Sequence, residues 1–205
     1  MKLIMFAGPN GSGKSTLISD FLNKPKHRGL LYICPDAFFS LFCPDPPAGP
    51  DEYERGYIKA MELSESLRKL LINNGTDFIF ETVFSTPEKV NFLRDAKRRG
   101  YTLSANFVTT RDPGINIERV AQRVREKGHD VPEEKIIRRY HRSMGQLPYL
   151  FELADELNIY DNSSSHYRLV YQHNASSFYF NHKLFAAAPW VRDYVIPYIP
   201  SPGAR

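Results

Sequence analysis

The segment Gly8-Pro9-Asn10-Gly11-Ser12-Gly13-Lys14-Ser15 constrains this chain more than any other. It fits G-x-x-x-x-G-K-[ST], a phosphate-binding loop in which glycines let backbone N–H groups curl round an anion with no side chain in the way. Lys14 is placed to reach β and γ phosphates, and the Ser15 hydroxyl to ligate Mg2+. An apolar run at 2–7 precedes the loop and a helix from 14 to about 22 follows it, so the positive end of the helix dipole faces the anion. The expected ligands are ATP and Mg2+. The residues expected to hold the nucleotide are Gly8, Pro9, Asn10, Gly11, Ser12, Gly13, Lys14, Ser15 and Thr16, with Ser15 as the metal ligand.

Strands and helices alternate through the rest of the chain. An apolar run at 30–34 stops at Pro35-Asp36, and four prolines between 41 and 50 exclude regular structure there. Tyr53, Tyr57, Ala60, Leu63, Leu67, Leu70 and Leu71 recur at the spacing of an amphipathic helix over 51–74, closed by Gly75. Phe78-Ile79-Phe80 reads as a strand ending at Glu81, 87–99 as a helix stopped by Gly100, and 102–109 as a strand. A helix opens at Pro113 with Asp112 as its N-cap and ends at Gly128; the next opens at Pro132 and runs to about 157 with a kink at Pro148. Late strands follow at 158–161, 167–171 and 178–180. This order predicts an α/β fold, a doubly wound and mainly parallel sheet of the P-loop nucleoside-triphosphate hydrolase and kinase type. It reads as one domain over 1–205, with a helical lid over about 113–147. Residues 158–205 would supply an edge hairpin and a helix packed around Trp190.

Composition removes several alternatives. Of 205 residues, 42% are hydrophobic and 24% charged, which excludes a disordered or collagen-like chain. Apolar runs fall far short of the roughly 20 residues of a membrane helix, and the first one is shorter than the roughly 7–15 residues of an export signal's apolar region. No membrane partner is expected. Cys34 and Cys43 are too few for a disulfide scaffold, which points to the reducing cytoplasm. A net charge of +4 is too small to imply a broad nucleic-acid surface. The arginines instead gather in one stretch, Arg111, Arg119, Arg123, Arg125, Arg138, Arg139 and Arg142, as a clamp on phosphate would.

Ligands in doubly wound sheets sit at the carboxyl ends of the strands, which nominates Asp36, Glu81, Arg111 and Asp112. Arg119 and Arg123 share a helix face, as do Arg138 and Arg142, and positioned arginines stabilise the charge of a transferring phosphoryl group. His129 reads as a turn residue.

The segments GPNGSGKST at 8–16, Pro35-Asp36, Glu81-Thr82-Val83-Phe84-Ser85 and Arg119-Val120-Ala121-Gln122-Arg123-Val124 resemble the zeta-toxin kinase family. So does Gly128-His129-Asp130-Val131-Pro132-Glu133-Glu134, leading into Arg138-Arg139-Tyr140-His141-Arg142-Ser143, and the likeness spans roughly 1–147. The resemblance implies a kinase that phosphorylates a hydroxyl of a sugar nucleotide, UDP-N-acetylglucosamine, at the expense of ATP. It also implies Asp36 as general base, Lys14 as phosphate-binding lysine and Ser15 as Mg2+ ligand. Glu81, Thr82 and Ser85 would line the acceptor site. Arg123 and one of Arg138 or Arg139 would be lid arginines, and any antitoxin would be a separate protein. Lys127 stands where the family often has a second glycine, and the proline loop has no counterpart. Two other readings remain open: a kinase for an antibiotic or other small alcohol, and a nucleotide-dependent switch without catalysis.

Overall fold

Past Lys2 the first strand has no charge, and this suits it to the middle of a sheet covered on both faces. The computed structural model describes residues 1–43, 49–126, 130–184 and 188–199. In it Leu3 to Ala7 of β1 (Lys2–Ala7) are all buried. The sheet runs β2-β3-β1-β4-β5-β6-β7. Its other strands are β2 (Leu31–Ile33), β3 (Phe78–Thr82), β4 (Thr102–Thr109), β5 (Glu156–Asp161), β6 (Arg168–His173) and β7 (Phe178–Phe180). The first five in spatial order pair parallel, while β5–β6 and β6–β7 pair antiparallel. From β1 the chain moves outward to β2 and β3, then crosses back to β4 on the other side. The crevice at the carboxyl end of β1 is therefore the switch point at which such sheets bind ligands.

Side chains alternate cleanly between the two layers. Ile4, Phe6 and Ile79 face α1 (Lys14–Leu22), where they pack with Ile18. Leu3, Met5, Phe78 and Phe80 join the larger core on the opposite face. That core takes in α3 (Pro50–Asn73), α4 (Pro87–Arg98), α6 (Glu133–Gln146), α7 (Pro148–Leu153) and α8 (Pro189–Tyr194). Trp190 and Val191 of α8 are buried in it, so the C-terminal segment closes the antiparallel edge as a hairpin plus a packing helix.

α5 (Pro113–Arg125) is capped by Asp112, whose carboxylate accepts from Gly114 N at 2.9 Å. α5 and α6 carry a small apolar cluster of their own, Val120, Val131 and Ile136. These helices cover the stretch expected to form a lid; residues 127–129 between them, including Gly128 and His129, lie outside the described residues. So does most of the proline loop, 44–48, although Cys43 at its entrance is buried.

Two expectations need correction. The helix opening near Pro132 does not reach 157. It stops at Gln146, and Pro148 starts a separate short helix because it has no N–H to continue the earlier ladder. β5 then begins at Glu156, set in place by Asp155, whose carboxylate takes Leu103 N at 2.7 Å and Lys97 Nζ at 2.5 Å. The chain also forms a helix the apolar pattern did not signal, α2 (Pro35–Phe39), directly after β2. Among the described residues no helix is long and apolar enough to cross a membrane.

Candidate active site

The loop from 8 to 13 is shaped by close approaches that only glycine tolerates. A Cβ on Gly8 would lie 1.9 Å from the Val108 carbonyl oxygen. Gly13, at φ 97°, is the N-cap of α1, where a Cβ would lie 2.3 Å from Asn162 Nδ2. The loop's carbonyls are tied to surrounding side chains. Lys14 Nζ donates to Pro9 O at 2.9 Å, Asn116 Nδ2 to Asn10 O at 2.5 Å, Asn162 Nδ2 to Ser12 O at 2.8 Å, and the Tyr167 hydroxyl to Gly13 O at 2.7 Å. The Thr110 hydroxyl in turn holds the Asn116 side chain.

The donors are treated differently. α1 has no side-chain cap and no acidic residue in its first turn, so its leading N–H groups remain for an external anion. Ser12 Oγ is buried without a hydrogen-bond partner. A carbonyl-braced loop, an uncapped helix start and an orphaned hydroxyl fit the polyphosphate of a nucleotide. For Mg2+, Ser15 is exposed in the first turn of α1, and the described residues hold no cluster of three or more His, Cys, Asp or Glu able to bind a metal. That donor set suits an ion held by one protein oxygen, phosphate oxygens and water.

Lys14 is the electrostatic centre. Only 6% of it is exposed. Burial pushes its ammonium below the ordinary lysine range, Glu81 and Asp36 pull it back up, and Arg123 and Arg139 push it down. Glu81 Oε1 lies 4.0 Å from Lys14 Nζ, while its Oε2 accepts from the Tyr32 hydroxyl at 3.0 Å. Burial and the neighbouring Glu81 charge raise the Tyr32 phenol, so it stays protonated as a donor.

Asp36 sits exposed in the first turn of α2, placed there by the stop of β2 at Pro35. Its charge is felt by Lys14 and by Tyr53 and Tyr57 on α3, whose phenols are raised first by burial and then by Asp36. At the end of β3, Thr82 is buried and its Oγ1 accepts from Phe84 N at 3.1 Å, shaping a turn in which Phe84 has φ 54°. Ser85 is half-buried just beyond.

The arginines separate. Arg123 on α5 is exposed yet acts on both Lys14 and Tyr53. Arg119, one turn earlier, reaches instead toward Ser164 O at 3.4 Å. On α6 it is Arg139 that turns to the loop, donating from Nη1 to the Asn10 side-chain oxygen at 3.2 Å, while Arg138 and Arg142 are exposed. Arg111 is exposed beside Asp112. Asp36, Glu81, Arg123 and Arg139 thus all act on Lys14.

Sequence reasoning missed Tyr32, Asn116, Asn162 and Tyr167. Asn162 had a usable signal: it follows the strand expected at 158–161, where the rule that nominated Asp36 and Glu81 applies equally. Asn116 and Tyr167 act on backbone carbonyls more than 100 residues away, and their residue types alone give no hint of it.

A family model described as zeta toxin matches residues 2–175. The chain belongs to the zeta toxin family. An uncharacterised protein of Haemophilus influenzae is 28% identical over 139 residues, covering 68% of this chain and 92% of that one. Among solved structures, the AvrRxo1-ORF1:-ORF2 complex with ATP superposes with a TM-score of 0.69 at 14% identity, over 91% of this chain and 63% of that chain. This zeta toxin family member therefore spans less than two thirds of that relative's length. A toxin–antitoxin structure, PezAT of Streptococcus pneumoniae, gives 0.63 at 19% identity over 94% and 77% of the two chains. A putative kinase of Chloroflexus aurantiacus gives 0.59 at 18% identity over 95% and 98%. At these identities the likeness establishes a shared P-loop kinase fold.

Proposed function

We propose that this zeta toxin family member is a Mg·ATP-dependent kinase acting on a hydroxyl of a small molecule, a sugar nucleotide such as UDP-N-acetylglucosamine. One observation carries the reading: a buried lysine on a braced phosphate loop has two carboxylates and two lid arginines within electrostatic reach, brought from four different elements. Bound ATP, with Mg2+ at Ser15, supplies the phosphoryl group. The chain's own residues then divide the work. Asp36 receives the acceptor's hydroxyl proton as the oxygen attacks, which calls for position more than basicity in a loose transition state. Lys14, Arg123 and Arg139 offset the negative charge spread over the transferring group, with Arg139 taking the role left open between it and Arg138. Glu81, held between Lys14 and Tyr32, and Ser85 contact the acceptor; Thr82 contributes by fixing the turn that presents Ser85, and Tyr53 and Tyr57 wall the same side. Closure of α5 and α6 excludes water.

The partner and setting belong to the same proposal. PezAT is described as a toxin–antitoxin system and AvrRxo1-ORF1 was solved with ORF2, and a separate protein inhibitor is the corresponding partner here. The two buried cysteines, Cys34 and Cys43, are not joined in a disulfide, which suits the cytoplasm. The test is to incubate the protein with Mg·ATP and UDP-N-acetylglucosamine and to search by mass spectrometry for a product heavier by one phosphate, with Lys14→Ala as control. A product absent from the control supports both kinase and acceptor. ATP binding with an unmodified sugar nucleotide removes that acceptor, and no product from a broad panel of alcohols removes the kinase reading in favour of a nucleotide-gated switch.

A further inference from the structure

The family match ends at residue 175, yet the chain continues through β7 and α8. On α8 the chain's single tryptophan, Trp190, is 4% exposed and donates from Nε1 to Asp161 Oδ2 at 3.2 Å. Asp161 ends β5 and is fully buried. Its Oδ1 accepts from Arg168 Nη2 at 2.8 Å and from Ser163 N at 3.0 Å, and its Oδ2 accepts from Ser163 Oγ at 3.1 Å. A buried carboxylate whose lone pairs are filled in this way holds its neighbours in one conformation, because any other leaves charge unpaired away from water.

Its neighbour along the chain is Asn162. Its N–H donates to Thr109 O at 2.8 Å, at the end of β4, and its Nδ2 ties Ser12 O. A few residues on, past Ser163 and its bond to Arg111 N at 2.7 Å, Tyr167 ties Gly13 O. The two carbonyls immediately before Lys14 are therefore fixed by the turn that Asp161 anchors.

We infer that Trp190 is a positioning residue for the phosphate loop: through Asp161 and Asn162, α8 holds the Ser12 carbonyl and so sets the geometry in which Lys14 meets a phosphate. The inference rests on the loop being a nucleotide site, but its structural half does not. Displacements near 1 Å at a site of this kind are costly, up to about a hundredfold in rate. The C-terminal segment, outside the family match, is thereby a working part of the site.

Trp190→Phe keeps an aromatic ring, though a smaller one than indole, and removes the Nε1 donor. In the protein without nucleotide, amide hydrogen exchange across residues 8–16 is expected to rise about tenfold, while β1 and β3 amides stay as protected as in the wild type. In a binding assay the variant's affinity for Mg·ATP is expected to fall roughly three- to tenfold, with KM for ATP rising more than kcat falls. The double variant Trp190→Phe/Asn162→Ala should bind no more weakly than Asn162→Ala alone, because the effect passes through that residue. Unchanged exchange at 8–16 overturns the inference, and additive losses in the double variant overturn the route through Asn162. Should Trp190→Phe not fold, the reverse direction decides: Asn162→Ala is expected to speed exchange over 188–195 and shift the emission of Trp190, and an unchanged segment and spectrum overturn the coupling. A wild type that binds no ATP would defeat the proposed function, while the exchange result still decides the positioning role.

Discussion

Lys14 holds its ammonium where burial disfavours it, with two carboxylates and two arginines acting in opposite senses. A lowered pKa means that the folded chain binds fewer protons than the unfolded chain at pH values up to the ordinary 10.5. The free protein consequently gains stability as pH rises through the window between the folded pKa and 10.5. An anion in the loop offsets the same strain, as expected where stability is given up for function. Lys14→Met is expected to abolish nucleotide binding without lowering the thermal midpoint, and to raise it by about 2–4 °C if about 1 kcal/mol is recovered. Scanning calorimetry of both proteins checks this. Asp161 shows the opposite sign. Burial by itself would raise its pKa, but hydrogen bonds from Arg168, Ser163 and Trp190 hold it below the ordinary 3.8. Its contribution is present above 3.8 and lost as pH falls through the lower folded value. Asp161→Asn should therefore destabilise the protein at neutral pH by about 1–3 kcal/mol, as losing hydrogen bonds to a buried charged group does, and the gap to wild type should close in acid below 3.8. Denaturant titrations at neutral and acid pH measure it.

Among the elements, those with local punctuation were legible in the sequence. α1 starts at the lysine of its motif, α3 and α4 stop at Gly75 and Gly100 or within two residues of them, and α5 opens at Pro113 behind the Asp112 cap. The start of β5 was not, because a long-range bond from Asp155 to Leu103 N places it. The short α2 was likewise hidden: five residues give no period to read. The stretch expected to form a lid is legible in a different sense. Its cluster of Val120, Val131 and Ile136 is separate from the main core, which the far end of α6 joins through Tyr140 and Met144, so α5 and the start of α6 can loosen by themselves. Ile136→Ala creates a cavity worth about 2–5 kcal/mol locally. Expected are faster hydrogen exchange over 113–126 and 130–138 and a higher KM for ATP, with a thermal midpoint close to wild type. A midpoint that drops in proportion to the full local cost would instead make the lid one unit with the sheet.

Across the whole molecule, the doubly wound sheet carries the site at its switch point, and the phosphate loop alone announced it. The candidate residues divide by how they act. Groups that act through charge at strand ends, Lys14, Asp36 and Glu81, could be nominated from position and type. Groups that act by bracing, Asn116, Asn162 and Tyr167, bond to carbonyls of the phosphate loop far away in sequence and become visible only after the chain is folded. The choice between Arg138 and Arg139 was of the same kind, since adjacent helix positions differ by about 100° and only packing shows which one meets Asn10. The central claim is that these side chains converge in order to transfer a phosphoryl group with Asp36 as base. Nucleotide affinity and acceptor phosphorylation, measured side by side for wild type and Asp36→Asn, test it most directly. The expected result is unchanged affinity for Mg·ATP within about twofold and a turnover lower by on the order of 10²–10⁴. Wild-type turnover in Asp36→Asn would contradict it.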